Sequence, residues 1–463
     1  MDYEAIISSL STMNPWWTSG VVPAWAAPAT ERREVQRFME LLEGDRVPVI
    51  AGLRRSGKTT LVHQAIGHLI EKGMRPQDLV YASLDDLTLR TMGPEVIPAI
   101  MEAHRRQHGI GEGGTRYYFL DEVQSVDDWA VAVKNVWDRR KDVRLAVTGS
   151  AGLLIRGATA ESLTGRATGL ELGPWELRDW TSLRGGSPPG IGFMDVVTGE
   201  HRILSEEGLI ERTHLRDATM PFLGQYLVRG GLPEGAYIES ELEYFRNLSD
   251  DVIERVLYRD IPTIHEVRRP DKLAKLLLLV ADGRGFPLSV DSLAKAIDSH
   301  HNTVESYLSF LVSSRLIIQV PSFARGEHKR QRRMSKYYLA DTGVQNAMDK
   351  RDSRLLGDDK AMGHVAEQAT AIHLARLAER YGGRLHYGPS YGGRELDFIL
   401  ELGGDTIPIE ANHRKSVRRT DLSAVKAYCK GLCDTPPVMI TKEESGVRDG
   451  VVLLPLWLML LTG

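Results

Sequence analysis

Apolar and polar positions along the chain change period several times, and each change marks an element. From Glu31 to Gly44 the run ERREVQRFMELLEG repeats apolar residues three and four apart, which predicts a helix that Thr30 could cap. Short β-rich runs follow at Val47 to Ala51, Leu79 to Leu84, Tyr117 to Leu120 and Leu145 to Thr148, separated by longer helical stretches, the first from Lys58 to about Lys72. Strands interleaved with helices predict a covered parallel sheet. From about Ser205 to Ile264 the period is helical. Three more helical runs, DKLAKLLLLVADG, VDSLAKAID and HNTVESYLSFLVSS, then precede two strand-like runs, LIIQV and KYYLAD. The Gly- and Asp-rich LLGDDK reads as a linker. A last αβ unit runs to Gly463, with Val451 to Leu461 as its buried strand and helix.

Composition narrows the classes. At 463 residues and about 150 residues per domain, the chain has room for two to four domains. Hydrophobic residues at 42% and charged residues at 26% exclude a disordered chain. A formal charge of −4 points to no polyanion partner, so any nucleic-acid contact must come from local basic patches. The run Val451 to Leu461 is broken by Pro455 and falls short of the roughly 20 residues that span a bilayer, so no membrane partner is expected. The acidic start, MDYEAIISSL, lacks a signal-peptide pattern, and the pair Cys429 and Cys433 can neither build a disulfide framework nor hold a four-ligand zinc site alone. A reducing, cytoplasmic setting is the expectation.

The chemistry concentrates after the first strand. Gly52-Leu53-Arg54-Arg55-Ser56-Gly57-Lys58-Thr59 is a complete G-x-x-x-x-G-K-T between a strand and a helix. Glycines let backbone N–H groups curl around phosphate oxygens, and the helix N-terminus favours the anion. Gly52, Arg55, Ser56, Gly57, Lys58, Thr59 and Thr60 are therefore the candidate ATP-binding residues, with Lys58 on the β- and γ-phosphates and Thr59 on Mg²⁺. The apolar strand ending in Asp121-Glu122 supplies the second half: Asp121 to hold Mg²⁺, Glu122 to activate the attacking water. The cofactors expected are ATP and Mg²⁺.

With these residues the chain resembles the AAA+ ATPases, a family whose first sensor ends the strand after the acidic one. That resemblance implies Ser150 as sensor, with Thr148 second, and Arg166 as an arginine finger. A finger acting in trans implies a homo-oligomer, a hexameric ring being one form. More closely, the chain is similar to bacterial and archaeal AAA+ ATPases that carry a winged helix and a C-terminal PD-(D/E)xK nuclease-like domain. The segments carrying this are NPWW at 14–17, GLRRSGKTT, FLDEVQ, VTGS, GLELGPWELRDW, RGGLPE, VLYRDI and YYLADTG. The fold class expected is thus multidomain α/β: an N-terminal arm (1–30), an AAA+ P-loop core (31–204), a helical lid (205–265), a winged helix (266–350) and a nuclease-like domain (356–463).

Two further constellations bear on partners. The third helix of the winged-helix pattern opens with His301, Asn302 and Thr303, placed to face bases or phosphates. Between its strands lie Arg325, Lys329, Arg330, Arg332 and Arg333, a basic hairpin tip suited to phosphate contacts. In the last domain, Glu367 on a helix and Asp397 and Glu410 on successive strands match the acids that hold Mg²⁺ in the nuclease-like fold. The lysine position two residues after the last acid is Asn412, which supplies no positive charge unless Arg414 or Lys415 replaces it. Arg414 and Lys415, with Arg418 and Arg419, also form a second basic cluster. The leading expectation is an ATP-hydrolysing machine acting on duplex or branched DNA by remodelling or translocation. An ATP-gated metal-dependent nuclease and a nucleotide-switched DNA-binding regulator or scaffold are the alternatives. The Trp16, Trp17 and Trp25 arm and the Asp85-Asp86 pair are read as packing and as a capped turn, respectively.

Overall fold

The computed structural model describes residues 2–109, 114–139, 142–150, 163–183, 186, 188–265, 267–323, 334–391, 394–429 and 435–463. The chain divides into two compact units, Met1–Gly173 and Pro174–Gly463. The boundary falls inside the segment expected as the ATPase core, and the expected lid, winged helix and nuclease-like segments all fall within the second unit.

The first unit is built on a five-stranded sheet of order β2-β3-β4-β1-β5, from β1 (Val47–Gly52), β2 (Leu79–Ser83), β3 (Arg116–Asp121), β4 (Val143–Ser150) and β5 (Ala167–Glu171). Every pairing is parallel. Parallel strands must be covered on both faces. The helices Glu34–Glu43, Lys58–Glu71, Val96–His108 and Trp129–Arg139 supply the apolar residues that share one core with the strands. Thr30 caps nothing: the first of these helices starts at Glu34 with Arg33 at its N-cap and no side-chain cap. The helix begins later than the sequence predicts, so Thr30 lies three residues ahead of its N-cap. The tryptophan arm has a structural job. Asn14 donates to the Tyr81 carbonyl at 2.7 Å and accepts from the Tyr81 amide at 2.6 Å, while the indoles of Trp16 and Trp17 both donate to the Leu79 carbonyl. NPWW therefore satisfies the backbone of β2, an edge strand that would otherwise expose it. Asp86 accepts from the amides of Thr88 and Leu89, so the expected capped turn is what forms there.

The second unit holds a six-stranded sheet of order β12-β13-β11-β10-β9-β8 and a two-stranded hairpin, β6 (Ile317–Pro321) with β7 (Ser335–Leu339). The larger sheet comprises β8 (Arg384–Tyr391), β9 (Arg394–Leu402), β10 (Asp405–Asn412), β11 (Val438–Thr441), β12 (Gly446–Arg448) and β13 (Val451–Pro455). Three helices, Pro270–Gly283, Val290–Ala296 and His301–Ser313, precede the hairpin in the order the sequence predicts. The linker expected near 355–360 is instead a short 3₁₀ turn, Ser353–Gly357, followed by Asp358, whose carboxylate caps the helix Asp359–Arg380. That helix, Val320 and Tyr338 of the hairpin, and the apolar C-terminus from Leu454 to Leu461 belong to one core. Shared burial explains why no boundary forms there. The segments RGGLPE and YYLADTG meet: Asp341 accepts from the Gly231 amide at 2.6 Å and from the Val344 amide at 3.1 Å. Asn346 donates to the carbonyls of Leu227 and Val228. The helix Leu209–Arg229 ends there, and its orphan carbonyls need such partners.

Candidate functional site

The parallel register brings the ends of β1, β3 and β4 together. Gly52 pairs with Ser150, and Asp121 closes β3 beside β4. The loop from Leu53 to Gly57 turns tightly, with Gly57 at φ 91° and Arg55 at φ 63°. Gly52 cannot be replaced: a Cβ there would lie 2.3 Å from the Leu172 carbonyl oxygen and 2.9 Å from Ser56 Oγ. The helix Lys58–Glu71 begins at Gly57 without a side-chain cap, leaving its first amides for an anion.

Lys58 is buried, and its ammonium donates to the carbonyls of Gly52 and Leu53 at 3.2 Å each. The Thr59 hydroxyl donates to Asp121 Oδ2 at 2.8 Å, and the Tyr81 phenol donates to the same oxygen at 2.6 Å. Burial and the Asp121 carboxylate push the Tyr81 phenol well above its ordinary range, so it remains a donor. Thr148 donates to Asp121 Oδ1 and accepts from the Glu122 amide at 3.3 Å. Of the two sensor candidates, Thr148 thus touches both acidic residues, while the Ser150 side chain lies outside the described residues. Burial pushes the Glu122 carboxyl up; Lys58 opposes this and Asp121 adds to it. Ser56 Oγ is buried with no hydrogen-bond partner, an orphaned donor in the loop that a phosphate oxygen could satisfy. The residues present fit Mg-ATP.

Arg166 is not part of this assembly. It precedes β5, whose Ala167 pairs with Val47 at the start of β1, and it is ion-paired to Asp138 at 2.8 Å. Gly52 and Arg166 thus mark opposite ends of the sheet, so Arg166 cannot serve the site of its own chain. Sequence reasoning missed Arg32. It is 4% exposed and donates from Nη1 to the Ser56 carbonyl at 2.6 Å, from Nη2 to the Gly173 carbonyl at 2.8 Å and from Nε to Glu34 at 3.2 Å. Arg32→Ala should strand the Ser56 carbonyl and loosen the loop, weakening ATP binding by about tenfold, or about 1.4 kcal/mol. A titration with a fluorescent ATP analogue checks this. Unchanged affinity would show that the loop holds its shape without Arg32.

In the second unit, Glu367, Asp397 and Glu410 do converge. The Asp397 amide donates to Glu410 Oε2 at 3.5 Å, Asp397 Oδ2 accepts from the Ala411 amide at 2.9 Å, and Glu367 Oε1 accepts from the Tyr338 phenol at 2.8 Å. Burial and the Asp397 carboxylate push Glu367 up to about 7 and Glu410 up to about 8. Among the described residues, however, no group of three or more His, Cys, Asp or Glu side chains is disposed to hold a metal ion. The three acids thus stand close together without being disposed as a ligand group. Lys336 lies beside them, its ammonium 2.8 Å from Glu395 Oε1 and 3.9 Å from Asp397 Oδ1. Asn412 donates to Asp421 at 3.3 Å, and Arg414 sits 4.0 Å from the same carboxylate, so neither supplies a cation to the triad. Beside the acids opens a cleft of about 680 Å³, lined in part by Glu367, Glu395, Glu410, Asn412, His413 and Arg414.

Of the DNA-binding candidates, His301 and Asn302 are exposed and Thr303 half-buried. His301 Nδ1 is 2.8 Å from Asp291 and Nε2 is 3.3 Å from Glu305; the Asp291 hydrogen bond leads in raising its pKa, so the ring is held by acids on two sides. Arg325, Lys329, Arg330, Arg332 and Arg333 lie outside the described residues. Lys415 is exposed beside Arg414. Among the described residues, no helix is long and apolar enough to cross a membrane.

Sheet order, phosphate loop and acidic strand end define a P-loop AAA+ fold joined to a separate C-terminal sheet domain, in a multidomain α/β chain. Residues 44–181 match the family model of the AAA domain, and residues 220–355 match a domain of unknown function, DUF8612. The chain is 26% identical over 370 residues to an uncharacterized protein of Methanocaldococcus jannaschii, covering 79% of this chain and 75% of that one. It is 25% identical over 443 residues to an uncharacterized protein of Mycobacterium tuberculosis, covering 94% and 85%. Among solved structures it is similar to the ADP form of the Aeropyrum pernix ORC2 protein (13% identity, 73% of this chain and 98% of that, TM-score 0.34). Replication initiator DnaA bound to AMPPCP and single-stranded DNA is another (13% identity, 61% and 86%, TM-score 0.25).

Proposed function

We propose that the first unit binds and hydrolyses ATP and that the chain is a DNA-acting ATPase working as a homo-oligomer. The observation that carries the hydrolytic reading is the convergence of Lys58, Thr59, Thr148 and Glu122 on Asp121 and the phosphate loop. The loop amides, Ser56 and Lys58 bind the phosphates, and Thr59 and Asp121 hold the Mg²⁺. Mg²⁺ held there would neutralise charge on the transferring phosphoryl group. Glu122 takes the proton of the attacking water, and Thr148 holds Asp121 and Glu122 in register. Arg166 completes the site of a neighbouring copy once its pairing to Asp138 is broken.

The DNA-acting part rests on the helix-helix-helix-hairpin order of residues 270–339, the exposed start of the helix His301–Ser313, and the basic residues at 325–333 and 414–419. Duplex or branched DNA is the class such a helix and basic hairpin fit. The test is Mg-ATP hydrolysis with no DNA, single strands, duplex and a four-way junction. Turnover should rise severalfold with one duplex or branched form and vanish in Lys58→Ala. Equal rates with every DNA would remove the DNA reading and leave an ATPase with another partner.

A further inference from the structure

The acidic cluster of the second unit contains a cation from an unexpected element. Lys336 lies on β7 of the hairpin and is 4% exposed. Its Nζ is 2.8 Å from Glu395 Oε1, 3.9 Å from Asp397 Oδ1, and 5.5 Å from the centre of the Tyr387 ring. A buried ammonium is tolerated only where carboxylates compensate it, and buried carboxylates need a cation in return. A divalent ion would need several of the same oxygens at about 2.0–2.6 Å, and an ammonium already within a few ångströms repels it.

We propose that Lys336 is the resident counter-ion of Glu367, Glu395, Asp397 and Glu410, filling the place that a divalent cation would take, and that it pins the β6–β7 hairpin to the six-stranded sheet. The inference is independent of the ATPase reading. It accounts for the acids forming no ligand set among the described residues. The pinning has a second component. The Phe323 amide donates to the Tyr387 carbonyl at 2.8 Å, and the Tyr387 phenol donates to the Met334 carbonyl at 3.0 Å. Phe323 follows β6 and Met334 precedes β7, so the two hairpin strands are both held on β8 through one residue, beside the lysine. Charge inside the cluster and the anchoring of the hairpin strands are thereby one device.

The test titrates the nucleotide-free full chain with Mn²⁺, followed by the electron paramagnetic resonance signal of the free ion and by thermal melting. Wild type and Asp397→Asn should bind Mn²⁺ alike, because no site depends on Asp397 while Lys336 is present. Lys336→Gln should gain one Mn²⁺ site that wild type lacks, and Mn²⁺ should raise its melting temperature. Lys336→Arg should gain none, and Lys336→Gln/Asp397→Asn should lose the gained site. A wild-type Mn²⁺ site that disappears in Asp397→Asn overturns the proposal, as does a folded Lys336→Gln that gains none. Should Lys336→Gln fail to fold, wild type against Asp397→Asn alone decides between the same two outcomes.

Discussion

Glu122→Gln is expected to lower ATP turnover by about 10²–10⁴-fold, the range that removal of a general base produces, while leaving ATP bound as tightly as in wild type. The separation follows from where the residue sits. The Glu122 amide is held by Thr148 and its carboxylate accepts from the Gln124 amide, while its charge is felt by Lys58 and Arg54 of the loop. An amide of the same shape keeps the backbone and the packing, and Gln124 can turn its own amide to meet it. What is lost is the proton acceptor. Burial raises the Glu122 carboxyl from its ordinary value, and that makes it a better base near neutrality than an exposed glutamate. Its backbone is left-handed at φ 54°, an uncommon state for a residue with a side chain, held by the turn that follows β3. Steady-state hydrolysis and an ATP-analogue titration on the same preparation check both halves. Full turnover in the variant would mean that another group activates the water.

The phosphate loop, Asp121 and Glu122 were legible because each is a local pattern: a fixed spacing between a strand and a helix, and an apolar run ending in acids. Strand order and the chain's return over the loop are not local, and the residues missed depend on one or the other. Tyr81 reaches Asp121 only because β2 lies beside β3, with Ser83 paired to Asp121. Arg32 precedes its helix in a polar run that reads as solvent-facing, yet it reaches Ser56 and Gly173 because the chain folds back over the loop. Lys336 opens the strand-like run KYYLAD, and no spacing rule joins it to Glu395 on another sheet. The acids themselves were found because helix, strand and strand follow in order. The resemblance put Ser150 ahead of Thr148 at the end of β4; it is the Thr148 hydroxyl that side-chain direction puts on Asp121. Thr30 failed as a cap because the helix begins at Glu34 with Arg33 at its N-cap, a start that residue preferences alone did not place.

Asp341→Ala should destabilise the second unit by about 2–4 kcal/mol, the sum of a lost helix cap of about 1 kcal/mol and a stranded buried amide of about 1–3 kcal/mol. The carboxylate is 3% exposed and divides its oxygens: Oδ1 caps the helix Thr342–Met348 through Val344, and Oδ2 takes the Gly231 amide just past the helix Leu209–Arg229. The glycines around it are required by the same packing: a Cβ on Gly230 would lie 2.0 Å from Asp341 Oδ1. Asp341→Asn should fall between alanine and wild type, since its carbonyl oxygen can keep one of the two amides while its NH₂ faces the other. Urea unfolding followed by the tryptophans of the second unit, Trp175, Trp180 and Trp457, measures the ordering. A loss below about 0.5 kcal/mol, the level of an ordinary surface substitution, would mean that water replaces the carboxylate. In that case Thr342 and Asn346, which donate to the carbonyls of Tyr226, Leu227 and Val228, hold the two segments together without it.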